Sequence, residues 1–355
     1  GADVNTQTES GWTPLMIASQ RGSIELVEYL LEQGSQVNAT NQQGATSLFL
    51  AAAQGHLKIT KLLLAAGANA NIQTNQGYTP LMEALASEHE LVVGALLFKG
   101  EAAINVHSKR GWTPLAIATY QGDFSAVKYL VNQGAELKIR TAQGWSLLGL
   151  AAASGRLEVV DYLLQQNLKV KTATEQGWTP LMEAVKQEQL QIVKRLVTAG
   201  ASLNRQDQIG VTPLQIAAHN GHLAAVKYLV QQGARVEVAD QQGVTPVIAA
   251  AAEGELSVIK YLEEQGASVL IEDNRGGTPL LVAAHGGHIK TVNYLIAQEA
   301  RIDKADDQGW TPLLYAAYQG HLPVVKYLVE EGANLEQKTD QGWTALSAAI
   351  FRQQR

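Results

Sequence analysis

The stretch that decides the fold is residues 309–341, which read GWTPLLYAAYQGHLPVVKYLVEEGANLEQKTDQ. Thr311 followed by Pro312 predicts a helix start. A threonine side chain can accept a hydrogen bond from a free backbone amide, and proline at the first helical position has no amide to leave unsatisfied. Gly320 predicts the end of this helix, because glycine adopts the left-handed conformation at little steric cost. The stretch therefore opens with one short helix.

A second helix is predicted directly after the first. Leu322, Val325, Leu328 and Val329 fall at positions i, i+3, i+6 and i+7, which places them on one face of a helix. Gly332 predicts its end by the same argument as before. The polar residues that follow, with a Gln-Gly pair near their end, predict a turn or short hairpin leading to the next unit.

The same unit recurs along the chain. The glycine that opens each unit, which we call the hairpin glycine, stands at Gly11, Gly44, Gly77, Gly111, Gly144, Gly177, Gly210, Gly243, Gly276, Gly309 and Gly342. The spacing is 33 residues except between Gly77 and Gly111, where it is 34. The predicted repeats are 11–43, 44–76, 77–110, 111–143, 144–176, 177–209, 210–242, 243–275, 276–308 and 309–341, with partial repeats at 1–10 and 342–355. One such unit buries too little apolar surface alone, so we expect a single repeat domain, 1–355, stabilised by stacking.

A turn and two short antiparallel helices in about 33 residues, with Thr-Pro-Leu at the first helix, resemble the ankyrin repeat. The resemblance implies an all-α solenoid of stacked helix–turn–helix units with β-hairpin or turn edges, and a concave groove on which partners dock. The histidine that follows Thr-Pro-Leu in that family is absent from every repeat, which puts local rigidity in doubt. Its position is occupied by Met16, Phe49, Met82, Ala116, Gly149, Met182, Gln215, Ile248, Leu281, Leu314 and Ser347.

The amino-acid composition excludes several classes of function. The chain has no cysteine and a net charge of -6, so it offers no thiol chemistry and none of the basic excess that a nucleic-acid binder shows. Its apolar runs are too short to cross a bilayer, and no signal peptide precedes the first repeat. We expect an intracellular, monomeric protein without membrane insertion. Because the chain opens inside a repeat and closes after one helix of another, we also expect it to be a fragment of a longer protein.

Catalytic and metal sites are not predicted. His219 and His222, like His285 and His288, have the HxxH spacing of metal ligands, but the second histidine of each pair follows a helix-ending glycine and is interpreted as a helix-start residue. Two imidazoles without a third ligand make a weak site. The glycines are spread by the repeat and do not form a phosphate-binding loop. We expect no enzyme activity and no cofactor.

Aromatic residues after the hairpin glycines are the first candidates for partner contact. Tryptophan and tyrosine are enriched among the residues that dominate protein interfaces, and the ankyrin resemblance places this position beside the groove. An alternative is that each ring packs flat on the neighbouring hairpin. The candidate residues are Trp12, Tyr78, Trp112, Trp145, Trp178, Trp310 and Trp343.

The residues just before the end of each first helix are the second candidates. They vary in an otherwise regular unit and match the groove-facing sites of the family, with Tyr120 and Tyr318 the strongest examples. The alternative is that they are only exposed and unconstrained. By contrast, the tyrosines of the second helices, such as Tyr29 and Tyr294, are predicted to fill the seam between repeats.

The third repeat, 77–110, departs most from the pattern. Glu88 stands where a helix-ending glycine belongs, Gly94 lies inside the second helix, and one extra residue falls within 99–105. We predict a bend or soft joint there, although neutral drift in a redundant array explains the same changes.

These features together predict a non-catalytic scaffold that binds a protein or peptide partner. Two alternatives stay open. The array could be a structural or elastic spacer, or it could be the targeting arm of a larger enzyme, toxin, effector or channel.

Overall fold

The computed structural model describes residues 3–353, and within them the chain forms 21 helices and no strand. The helices are α1 (Pro14–Arg21), α2 (Ile24–Glu32), α3 (Ser47–Ala53), α4 (Leu57–Ala65), α5 (Pro80–Ala86), α6 (Glu90–Lys99), α7 (Pro114–Gln121), α8 (Phe124–Asn132), α9 (Leu147–Ser154), α10 (Leu157–Gln165), α11 (Pro180–Lys186), α12 (Leu190–Thr198), α13 (Pro213–His219), α14 (Leu223–Gln231), α15 (Pro246–Ala252), α16 (Leu256–Glu264), α17 (Pro279–Gly286), α18 (Ile289–Ala297), α19 (Pro312–Gln319), α20 (Leu322–Glu330) and α21 (Ala345–Gln353). The predicted all-α fold is confirmed, with turns rather than strands at the edge of the repeats.

The chain divides into two compact units, 1–175 and 176–355. Unit 1 contains α1–α10 and unit 2 contains α11–α21. Within each unit, the first helix of a pair packs on its own second helix and on the first helices of the adjoining pairs. Leu15, Leu48 and Leu81, at the same position of successive first helices, are all 0% exposed. The core of each unit is therefore a row of helix–helix seams.

The predicted helix starts are confirmed. The side chain of Thr311 accepts a hydrogen bond from the Leu314 amide at 3.2 Å, and Pro312 is the first residue of α19. The same bond, from the amide three residues on, forms at Thr13, Thr46, Thr79, Thr113, Ser146, Thr179, Thr212, Thr245, Thr278 and Thr344. Every first helix therefore begins at the residue that the sequence indicates.

Left-handed residues follow most helices even where glycine is missing. Glu88, Asn167, Glu188 and Glu299 have φ values of 58°, 57°, 57° and 63°. Glutamate adopts this conformation poorly. It is held there because the backbone bonds that close the turn still form, as between the Glu88 amide and the Leu85 carbonyl at 3.2 Å. The geometry of the repeat thus overrides the local preference of the residue.

The extra residue of the third repeat is absorbed at the end of α6. This helix has 10 residues, whereas every other second helix in the described chain has nine. Gly100 ends it in a right-handed conformation, and the left-handed residue is Glu101, with φ 46°. The change is local to this junction, and the soft joint stays a prediction.

Gly94→Ala is expected to raise the free energy of unfolding by about 0.5–1 kcal/mol, because alanine loses less backbone entropy than glycine on entering a helix. A Cβ atom at Gly94 would meet no atom within 4 Å. The measurement is equilibrium denaturation followed by circular dichroism. Gly149→Ala is the matched control, since its Cβ would lie 2.7 Å from Cε3 of Trp145. An equal gain from both variants would contradict the argument.

Candidate functional site

The hairpin turns hold their residues by a repeated set of hydrogen bonds. In the turn 306–310, the Asp306 amide donates to the Trp310 carbonyl at 3.1 Å, and the Gly309 amide donates to the Asp306 carbonyl at 3.0 Å. The Asp306 carboxylate also accepts the amides of Gln308 and Trp310, both at 2.9 Å. These bonds fix the backbone from which the tryptophan side chain projects.

Successive turns within a unit are joined by one backbone bond. The Gln42 amide donates to the Ser10 carbonyl at 3.0 Å in unit 1, and the Asp307 amide donates to the Arg275 carbonyl at 2.9 Å in unit 2. Because each turn is hydrogen-bonded to its neighbour, equivalent side chains stay in register along the unit.

A ladder of asparagine side chains, which the sequence reasoning missed, also joins the repeats. The Oδ1 atom of Asn38 accepts the Asn69 amide at 2.8 Å, 31 residues further on. Asn5, Asn71, Asn105 and Asn204 accept in the same way. Their spacing of 33 or 34 residues, or a multiple of it, was visible in the sequence and could have identified them.

Hairpin aromatics contact the first helix of their own repeat. The rings of Trp112 and Tyr120 meet edge to face with centroids 5.6 Å apart, and Trp310 and Tyr318 do so at 5.4 Å. The structure therefore joins the two sets of predicted residues, since Tyr120 and Tyr318 stand eight residues after their tryptophans. Tyr120 is 50% exposed.

The other hairpin aromatics make different contacts. The Trp178 indole N–H donates to Oε2 of Glu183 at 2.9 Å, and the Lys186 ammonium lies 5.7 Å from the centre of its ring. Trp145 lies over the backbone at Gly149. Trp12 packs on the buried cluster of Met16, Ala45 and Leu50, and Tyr78 is half-buried. The predicted hairpin aromatics are thus all half-buried and differ in the neighbours that each ring contacts.

An aromatic cluster occupies the last repeats of unit 2. Tyr315 lies between Trp310 and His285, with centroid distances of 4.9 and 5.1 Å. Phe351 contacts both Tyr318, at 6.4 Å, and Trp343, at 5.0 Å. Sequence reasoning did not identify Tyr315 or Phe351, whereas His285 was named in an HxxH pair and is one of the residues just before the end of a first helix. Tyr315 and Phe351 stand five and eight residues after a hairpin tryptophan, and that spacing was the available signal.

Two groups in this cluster have shifted pKa values. Burial, and then the hydrogen bond from the Tyr315 hydroxyl to Oδ2 of Asp306 at 2.9 Å, raise the pKa of the phenol. Burial, and then the neighbouring His321, lower the pKa of His285. Since the ordinary value is about 6.5, the His285 ring is neutral at pH 7.

The histidines at the starts of second helices link repeats. The ring nitrogen Nε2 of His288 lies 2.9 Å from the Ala252 carbonyl oxygen, and Nε2 of His321 lies 2.9 Å from that of His285. His56 and His89 make the equivalent contact, whereas His222 meets the Val185 carbonyl oxygen through Nδ1 at 2.9 Å. Within residues 3–353, no group of three histidine, aspartate or glutamate side chains is placed to hold a metal ion. The second histidine of each HxxH pair, His222 or His288, thus stands directly before a second helix and contacts the preceding repeat.

The second-helix tyrosines support the stacking in unit 2. Lysine ammonium groups lie over the tyrosine rings of the following repeat, at 5.7 Å for Lys194 and Tyr228 and 4.9 Å for Lys260 and Tyr294. Burial, and then a hydrogen bond from the Tyr294 hydroxyl to Glu263, raise the pKa of Tyr294 to about 12. Tyr29, in the first repeat, is 56% exposed instead.

Comparison with known proteins agrees with this geometry. A family model described as ankyrin repeats, in three copies, matches residues 1–74, 66–141, 122–207, 181–273 and 265–339. The crystal structure of the human ASB11 ankyrin repeat domain is 29% identical to the chain, with a TM-score of 0.53. The match covers 59% of this chain and 98% of that one. A search of curated protein sequences found no match. No helix within residues 3–353 combines the length and apolarity needed to span a bilayer.

Ankyrin repeats are in general protein–protein interaction modules, and the fold is a non-catalytic one. The helix pairs, the left-handed helix ends and the family match along 1–339 lead to one conclusion. The chain belongs to the ankyrin-repeat family.

Proposed function

We propose that this chain is a scaffold that binds a protein or peptide segment on its aromatic surface. We define the aromatic surface as the residues after the hairpin glycines together with the last turn of each first helix. The observation that carries the proposal is the pair Trp112 and Tyr120. Tyr120 leaves 50% of its surface exposed while Trp112 supports it from one edge.

A supported, exposed aromatic ring suits an interface. Tyr120 lies in the last turn of α7, and its contact with Trp112 restricts the rotamers that the side chain adopts. Binding then costs little side-chain entropy, and the ring still has apolar area to bury. Trp310 and Tyr318 make the same edge-to-face contact in unit 2, where Tyr318 is half-buried and also contacts Phe351. A partner segment lying along residues 78–145 of unit 1 would meet an aromatic residue at each successive hairpin, at Tyr78, Trp112 and Trp145.

Tyr120→Ala is expected to weaken partner binding about thirtyfold or more, because truncating a central aromatic anchor costs about 2 kcal/mol or more. The partner is first isolated from cell extract with the unaltered chain. Its dissociation constant is then measured by titration against the purified variant. Trp112→Ala is expected to act in the same direction, since it removes the support for Tyr120.

Tyr29→Ala is the matched control. This tyrosine is 56% exposed, on a second helix outside the aromatic surface, so its removal should change affinity less than about threefold. Equal binding by both variants and the parent would contradict the proposal. That result would favour the spacer interpretation, in which the length of the array matters and its surface does not.

A further inference from the structure

A cavity of about 200 Å³ opens between adjoining hairpin turns of unit 2. Its lining includes Asp273, Gly277, His285, Asp306 and Tyr315. It adjoins the aromatic surface, because Gly277 follows a hairpin glycine and His285 stands in the last turn of α17. None of the sequence arguments singled out this place.

The cavity exists because Gly277 has no side chain. The equivalent residues of the adjoining repeats are Val244 and Trp310. A Cβ atom at Gly277 would stand 2.5 Å from Oδ2 of Asp273 and 2.9 Å from its Cγ. Any larger residue would therefore compete with the carboxylate of Asp273 for this space.

The Asp273 carboxylate has one oxygen available to a ligand. Its Oδ1 accepts the backbone amides of Arg275 at 2.8 Å and Gly277 at 2.7 Å, which closes the turn. Its Oδ2 accepts no hydrogen bond from any residue within 3–353. The equivalent oxygen of Asp306 is already bonded to the Tyr315 hydroxyl. Asp273 thus supplies an acceptor that the protein itself does not use.

The charges around the cavity favour a cation. Two aspartates line it against one arginine, Arg275, which is exposed and forms no ion pair in the described part of the chain. His285 adds no positive charge, since burial lowers its pKa and its Nε2 lies 2.9 Å from the side-chain nitrogen of Gln319. An amide nitrogen only donates, so that Nε2 is the unprotonated one.

The residues that line the cavity suit both the aliphatic part and the charged group of a basic side chain. Leu281 and Val282 contribute apolar atoms, and the ring of Tyr315 lies beside the two carboxylates. Aromatic rings attract cations electrostatically, and a carboxylate forms strong charge-assisted hydrogen bonds with ammonium and guanidinium groups.

We propose that this cavity receives a lysine or arginine side chain of the partner protein, with Oδ2 of Asp273 as the principal acceptor. The inference deepens the proposed function and rests on it, since the cavity adjoins the surface on which the partner docks. It adds the chemistry that the partner must present there.

The test uses capped tripeptides, acetyl-Gly-Lys-Gly-amide and acetyl-Gly-Arg-Gly-amide, titrated into the full chain. Binding is followed by NMR at the Gly277 amide and the Trp310 indole N–H. The neutral probe acetyl-Gly-norleucyl-Gly-amide lacks only the ammonium group of lysine. We expect a cationic peptide to shift both signals and the norleucine peptide to leave them in place.

Asp273→Asn is expected to weaken cationic peptide binding about tenfold or more, because it removes the charge that strengthens the hydrogen bond. The turn should persist, since Asn41 occupies the equivalent position and its Oδ1 accepts the same two amides at 3.0 and 2.9 Å. Asp240→Asn, one repeat earlier, is the matched control and should bind like the parent. Gly277→Val, which copies Val244, should fill the cavity and abolish binding.

The proposal is overturned if the norleucine peptide produces the same shifts, if neither cationic peptide binds, or if Asp273→Asn binds as tightly as the parent. These outcomes need no partner protein, so they are independent of the Tyr120→Ala experiment. Failure of the cavity would leave the aromatic surface standing. Failure at Tyr120 together with peptide binding here would reject the aromatic anchor alone.

Discussion

Met182→Ala is expected to lower the free energy of unfolding by about 2–5 kcal/mol, the range observed when a large buried side chain is cut to alanine. Met182 is 0% exposed in α11 and fills the position where the ankyrin family carries histidine. Truncation leaves a cavity between helices that cannot close without moving their neighbours. The measurement is equilibrium denaturation, with hydrogen exchange at α11 as a local readout.

Met182→Leu is the control for this prediction. Leucine keeps most of the volume, so we expect a loss below about 1.5 kcal/mol. Both variants remove the sulfur atom that lies 3.4 Å from the Thr179 amide, so the difference between them measures the cavity alone. Equal losses would show that the sulfur contact, rather than packing, stabilises this position.

Gly210→Ala is expected to cost about 2–5 kcal/mol of stability, as the sum of two terms. A left-handed residue with a Cβ atom costs about 1–2 kcal/mol, and Gly210 has φ 91°. Overpacking adds about 1–3 kcal/mol. The new Cβ atom would lie 2.8 Å from the Gln241 amide nitrogen and 2.9 Å from Cα of Asp240, in the next turn.

The matched control is Gly233→Ala. Gly233 has φ 98°, but its Cβ atom would meet nothing within 4 Å, so only the conformational cost of about 1–2 kcal/mol is expected. Hydrogen exchange gives a second readout. Gly210→Ala should expose the Gln241 amide, which donates to the Ile209 carbonyl at 3.0 Å, whereas Gly233→Ala should not. Equal losses of stability from both substitutions would contradict a close approach of the turns.

Other side chains fill the position of the family histidine. Its absence put local rigidity in doubt, and reduced rigidity stays a prediction. In the structure Met16, Met82 and Met182 are all 0% exposed, so apolar packing occupies the position. At Gln215 a polar side chain keeps the hydrogen bonding, since its Oε1 accepts the Thr212 amide at 2.9 Å and its Nε2 donates to the Val244 carbonyl at 2.6 Å. Packing and hydrogen bonding are alternative ways of filling one site.

The sequence by itself determined the repeat, the helix starts and the helix ends that carry glycine, because these depend on residues within one turn of each other. Thr311, Pro312 and Gly320 act on their own backbone, and their effects are confirmed. The candidate aromatic residues could also be identified from the sequence, but the rings that each of them contacts could not.

Only the tertiary structure decided the contacts between repeats. The bond from His288 to the Ala252 carbonyl joins residues 36 apart. The cavity at Gly277 likewise depends on where Asp273, in a hairpin turn, and Tyr315, in α19, are held relative to each other. Such side-chain positions are set by packing against the neighbouring repeat, and no local property of the chain encodes them.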